Sequence, residues 1–184
     1  MTEITHAQLR RRILLTLAAP FPVNRLSWRV GATNAKRLGC KPWEATEGIA
    51  LAYIDARDVM GRLDAIQDEL GVIWQSEYLP VHGPVVICRI GLFFPGVNEY
   101  LWRSSGAGST QVEAEKGATS DAFKRAAVMW GVGRYLYALP SPWVGLVKGG
   151  LPRGFQQELP SWATPEGYLA VLEKRAAERK EDDK

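Results

Sequence analysis

One side of a long helix-compatible segment is lined with small residues, and this limits the folds open to the chain. From Glu115 to Tyr137 the sequence reads as a single helix, starting at Ser120-Asp121 or as early as Val112. At about 100° per residue, Ala122, Ala126, Met129, Trp130, Gly133 and Tyr137 cluster on one side. Ala122, Ala126 and Gly133 let a neighbour approach closely, and a sheet is the expected neighbour. The opposite side carries Lys124, Val128, Gly131 and Tyr135, with Arg125 adjacent and almost nothing acidic beside the two cations. On composition alone Lys124 and Arg125 fit either an ordinary solvated face or the edge that holds a polyanion.

Upstream segments supply the sheet. Leu9, Ile13 and Leu17 fall at helical spacing, so residues 5–18 read as a short amphipathic helix ended by Pro20 and Pro22. Val23 to Val30 alternates like a strand, with Arg25 and Arg29 on one face and Leu26, Trp28 and Val30 on the other. Residues 33–47 read as a polar, basic loop, and Ile49 to Ile54 as a compact strand. Asp55 and Asp58 cap a helix that runs to Leu70 and stops at Gly71. Val59, Leu63, Ile66 and Leu70 have core spacing there, while the acids and Arg62 are expected to face solvent. Three strands follow, near 74–81, 85–94 and 99–105, with turns at His82-Gly-Pro84 and Pro95-Gly-Val-Asn98. The Gly/Ser-rich stretch from Ser104 to Ser109 is either a plain turn or a backbone cradle for phosphate. Pro140-Ser-Pro142 stops the long helix. Residues 140–163 read as irregular, and a short last helix from Thr164-Pro165-Glu166 frays into a mixed-charge end.

The expected class is α+β: an antiparallel meander packed against a long helix, with a short N-terminal helix and an irregular C-terminal tail. The expected division is one domain over 1–140 and a tail over 141–184.

The net charge is only +3, but its distribution is uneven. Met1 to Lys41 holds eight Lys/Arg against Glu3 alone, and Asp55 to Glu77 holds six acids against Arg57 and Arg62. A positive face that attracts phosphate is implied, and subunits packing head to tail would suit the separation. Cys40 and Cys88 are far apart and outside any CxxC, which points to a reducing compartment without disulfides. His6 and His82 stand alone, so no zinc set is expected. No stretch is long enough to span a membrane. There is no Walker loop, and no nucleophile-base arrangement stands out. Asp55, Asp58 and Asp64 could be imagined as a nuclease metal cluster, but capping accounts for the first two. No catalytic residue, metal or cofactor is expected.

Two segments in order bring a family to mind. Leu51-Ala-Tyr-Ile-Asp-Ala-Arg-Asp-Val-Met-Gly-Arg-Leu-Asp64 is followed ten residues later by Trp74. Glu115-Lys-Gly-Ala-Thr-Ser-Asp-Ala-Phe-Lys-Arg-Ala126 continues to Trp130 and Gly131. Over residues 9 to 140 the chain resembles the Rad52/Rad22 recombination proteins, and more closely their small phage-borne single-strand annealing relatives. The resemblance implies an ATP-independent protein that binds single-stranded DNA without sequence preference and anneals it in recombination and double-strand break repair. It implies a homo-oligomeric ring, or a filament, whose groove grips the backbone and leaves the bases outward. It assigns the backbone contacts to Lys124 and Arg125, with Arg29, from Leu26-Ser-Trp-Arg29, and Tyr53 in the same groove; Tyr53 equally fits a core position.

Eukaryotic members carry a further arginine one turn on, where this chain has Val128, and Arg134 and Lys116 are the candidates to compensate. The long C-terminal region with which those members bind other repair proteins is absent, which favours plain annealing. Phage or host replication and recombination proteins remain possible partners, in the cytoplasm of a bacterial host. The alternative reading is a passive single-strand binder without annealing activity.

Overall fold

The fold is that of a computed structural model, which describes residues 5–79, 85–94, 99–108 and 116–182. In chain order the elements are α1 (His6–Ala18), β1 (Ser27–Thr33), α2 (Ala35–Leu38), β2 (Glu47–Tyr53), α3 (Ala56–Leu70) and β3 (Ile73–Leu79). They continue with β4 (Val85–Phe93), β5 (Tyr100–Gly108), α4 (Lys116–Trp130), β6 (Trp143–Gly145) and α5 (Pro165–Asp182). The class is α+β, with two antiparallel three-stranded sheets ordered β1-β2-β6 and β3-β4-β5. Contacts divide the chain into two units: Met1–Ala19 with Asp55–Arg134, and Pro20–Ile54 with Tyr135–Lys184.

In the first unit the expected meander is present. Alternation along β4 puts the buried Cys88, Ile90 and Leu92 on one face, and Gly91 between them is buried as well. The helix α4 covers that face with the small residues Ala122, Ala126 and Ala127 and with Phe123 and Trp130, all buried. The Trp130 indole N–H donates to the Ile90 carbonyl at 3.0 Å, which ties helix to sheet without an orphaned polar group. The helix α1 starts at a capping box: the Thr5 hydroxyl accepts from the Gln8 N–H at 3.2 Å, and the Gln8 side chain accepts from the Thr5 N–H at 2.9 Å. It buries Ile13 and Leu17, and α3 buries Val59, Leu63, Ile66 and Leu70 as the spacing predicts. Asp58 accepts from the Asp55 N–H at 3.1 Å, and Gly71, at φ +68°, closes the C-terminus of α3.

Several expectations need correction here. Arg62 does not simply face solvent. Its guanidinium donates to the carbonyls of Thr16 and Ala19, both at 2.7 Å, and so satisfies the C-terminal end of α1. The long helix does not continue to Tyr137. Gly131 sits at φ +106°, its N–H donates to the Val128 carbonyl at 3.0 Å, and the Val132 N–H reaches back to Ala127 at 3.1 Å. That pair of bonds is a Schellman stop, and a separate 3-10 turn follows over Arg134–Ala138. The small-and-aromatic face therefore holds at Ala122, Ala126 and Trp130, whereas Met129 and Tyr137 are exposed. Ser104 to Gly108 is strand, not turn. The proposed turns at 82–84 and 95–98, and a helix start near Val112, lie outside the described residues.

In the second unit β1 pairs with β2, Arg29 opposite Leu51 and Ser27 opposite Tyr53, and β6 adds to the other side of β2. The strand begins later than alternation suggests, because Val23–Arg25 is a 3-10 turn; Arg25 thus shares no strand face with Arg29. The stretch expected as loop contains α2 and a 3-10 turn, and it is fixed by Asn34. That side chain is 4% exposed, donates to the Thr46 hydroxyl at 3.0 Å and to the Glu47 carboxylate at 3.3 Å, and accepts from the Thr46 N–H at 3.2 Å. Residues 141–182 carry β6 and the 18-residue α5, so the last helix is longer than the sequence suggests.

Candidate functional site

The residues singled out by sequence fall on both units. On the first, α4 has a buried side and an outward stripe of Gly117, Asp121, Lys124, Arg125, Val128 and Met129. Burial of Ala122, Phe123, Ala126 and Ala127 locks the helix against its sheet, so the outward cations stand on a rigid support. Arg125 is exposed. The Lys124 side chain is 27% exposed, and its Nζ lies 3.1 Å from the Asp121 carboxylate. The absence of acid beside the pair is thereby corrected: Asp121, one turn earlier, partners Lys124. An i,i+3 ion pair with one exposed and one half-buried partner is weak, roughly 0.5 kcal/mol, so a phosphate can compete for the ammonium.

Arg134 sits just past the helix stop. Its guanidinium donates to the Val128 carbonyl at 2.8 and 3.0 Å and to the Met129 carbonyl at 2.8 Å. Arg103, on the helix-facing side of β5, also donates to Met129 and lies over the Trp130 ring at 4.4 Å. Two arginines thus cap the end of α4, where their charge suits the helix dipole. Arg103 escaped the sequence reading, although an arginine in phase with Leu101 in a strand was the available signal. Lys116 is the first residue of α4, and its side chain lies outside the described residues.

On the second unit, register and alternation put Arg29 and Tyr53 on the same face of the sheet. Arg29 is exposed and Tyr53 half-buried, and both line an open cleft of about 430 Å3 along β1, the edge strand. The far wall comes from the chain after β6. Pro152 accepts a 3.0 Å bond from the Phe155 N–H, with Gly154 at φ +74°, a tight turn that presents Phe155 and Gln156. Phe155 meets Trp28 edge-to-face at 5.6 Å, and Gln156 accepts from the Trp28 indole N–H at 3.3 Å. Sequence reading missed this wall, because nothing in residues 140–163 marks a partner for β1.

The carboxylates considered for a metal have other tasks. Asp58 accepts the Asp55 N–H, and Asp64 accepts the Trp74 indole N–H at 2.9 Å. Among the described residues no group of three His, Cys, Asp or Glu side chains could hold a metal ion. Cys88 is fully buried, and burial pushes its thiol up to about 11 against the opposing hydrogen bond with Tyr78, which leaves it a poor nucleophile. No described helix is long and apolar enough to cross a membrane.

Comparison with known proteins agrees in outline with the resemblance. Residues 10–147 match the model of the Rad52/22 family double-strand break repair proteins. Over 155 residues the chain is 36% identical to the single-stranded DNA-binding protein DdrA of Deinococcus radiodurans, covering 82% of this chain and 66% of that protein. Over 153 residues it is 35% identical to DdrA of Deinococcus deserti, covering 82% of this chain and 69% of that protein. The chain therefore spans about two thirds of the length of these relatives. No solved structure matches.

Proposed function

The chain belongs to the Rad52/22 family of double-strand break repair proteins, and we propose that it binds single-stranded DNA without sequence preference and anneals complementary strands without ATP. The observation that carries this reading is the Lys124–Arg125 pair on the outward stripe of a helix whose other side is immobilised in the core. Cations on a rigid support take phosphate oxygens by charge-assisted bonds, which supply affinity that is independent of base sequence and steep in salt. A protein that grips only the backbone leaves base edges free and holds them extended, so pairing proceeds at lower entropic cost. The names of the two DdrA proteins, single-stranded DNA-binding, support the same substrate class.

In this reading Arg29 adds a second backbone contact on the other unit, Tyr53 lines the path beside it, and residues 1–140 carry binding and self-assembly. A ring or filament of copies provides a continuous track, and the cytoplasm of a bacterial cell is the expected setting. Arg134 serves mainly as a helix cap, since its donors meet α4 carbonyls. The competing reading is passive protection of the strand.

Mixing complementary oligonucleotides with the protein and no nucleotide separates the two. Duplex formation followed by a fluorophore-quencher pair is expected to accelerate at least tenfold over the spontaneous rate (about 1.4 kcal/mol of barrier). Tight binding with no acceleration would leave the passive reading in place.

A further inference from the structure

We propose that the turn at Pro152–Gln156 is the second wall of a strand-binding subsite, and that the cleft it closes holds one sugar-phosphate unit of single-stranded DNA. This rests on the single-strand binding reading and adds to it a contact made by residues beyond the family match, which ends at residue 147. The cleft of about 430 Å3 runs over the edge of β1, with the cation Arg29 and the hydroxyl-bearing Ser27 and Tyr53 on one strand face and Trp28, paired with Phe155, on the other. Its size is within the usual range for a small-ligand site and too small for a duplex.

The chemistry fits one deoxynucleotide backbone unit. Arg29 is exposed and presents the donor fork that matches a phosphate. In an edge-to-face pair one ring keeps both of its own faces clear of the other, which offers aromatic surface to the C–H face of a deoxyribose. Gln156 holds the Trp28 indole by its N–H, so the aromatic wall has a fixed orientation. Among the described residues β1 has no strand neighbour on the side away from β2, and a chain running along the cleft would pass there. The base lies outside the contact set, which keeps it available for a complement.

The test compares full-length wild type with Phe155→Leu, Gln156→Ala and Arg29→Ala on an oligo(dT) strand and on an abasic strand of equal length, by anisotropy across a salt series. Phe155→Leu retains apolar bulk, Gln156→Ala leaves the indole N–H to water, and thermal melts check that each variant folds. Phe155→Leu and Gln156→Ala are expected to weaken both strands about three- to tenfold with an unchanged salt slope. Arg29→Ala should lower the slope by about 0.7, the value of one phosphate contact on a single strand.

If wild type binds oligo(dT) but both wall variants bind like wild type, the subsite is wrong and the binding reading stands. A loss confined to oligo(dT) would place bases against the wall and overturn the sugar assignment. An Arg29→Ala slope equal to wild type overturns the phosphate contact. If wild type binds neither strand, the binding reading itself falls.

Discussion

Lys124 has a carboxylate partner one turn earlier, and the proposed function asks it to exchange that partner for a phosphate. It sits 3.1 Å from Asp121 in the free protein, and the pair is exposed enough that water screens most of the attraction. In the proposed function Asp121 pre-positions the ammonium at small cost and would yield it to a phosphate. Cys88 is the opposite case, a titratable group enclosed in the core. Its pKa is raised from an ordinary value of 9.0 to about 11 because it is buried, so the folded chain keeps a proton that the unfolded chain loses first. The stabilisation is complete below pH 9.0 and drains away as pH rises towards 11. Urea unfolding between those limits should lose up to about 1.4 kcal/mol per pH unit relative to Cys88→Ala, whose own curve lacks this component. Equal slopes for the two proteins would show that the thiol does not titrate as described.

At the scale of elements, the end of α4 decides where the cations stand. Gly131 at φ +106° stops the helix, and Val132, 1% exposed, anchors the chain beyond it. A Cβ at residue 131 would meet the Ala18 Cβ at 3.4 Å, an ordinary contact, so the cost of Gly131→Ala is conformational. A loss of about 1–2 kcal/mol is expected, read as a drop in the thermal midpoint, and an unchanged midpoint would remove the helix stop from the account. The sequence shows much at this scale. Periodicity located α1, α3 and the meander because each has one buried face, and a regular burial pattern leaves a regular trace. The helix stop was misread because Gly131-Val-Gly133 fits helical spacing, and spacing cannot report the sign of φ. Asn34 was missed for a related reason: its three side-chain bonds, to Thr46 and Glu47, are made across a bend, and polar loop composition is silent about such closures. The Phe155 wall depends on contacts with a strand more than 100 positions away in sequence, as the Trp28–Gln156 bond at separation 128 illustrates.

For the whole molecule, identity and chemistry were legible to different depths. Two ordered motifs were enough to place the chain in its family, because a tyrosine-isoleucine-aspartate step and a Lys-Arg pair at fixed spacing rarely coincide by chance. The cations gathered in the first 41 residues include Arg29, which lines the cleft. What spacing could not give is which cations serve the fold. Arg62, Arg103 and Arg134 all satisfy helix C-termini, and each became recognisable only once the carbonyls they meet were located. The central claim is that the outward Lys124–Arg125 pair on α4 grips the phosphate chain. The most direct measurement is the affinity of Lys124→Ala/Arg125→Ala for oligo(dT) over a salt series, with a thermal melt as control. The account predicts an unchanged midpoint, at least tenfold weaker binding at low salt, and a salt slope reduced by about 1.4, two single-strand phosphate contacts. Wild-type affinity and slope in that double variant would contradict it.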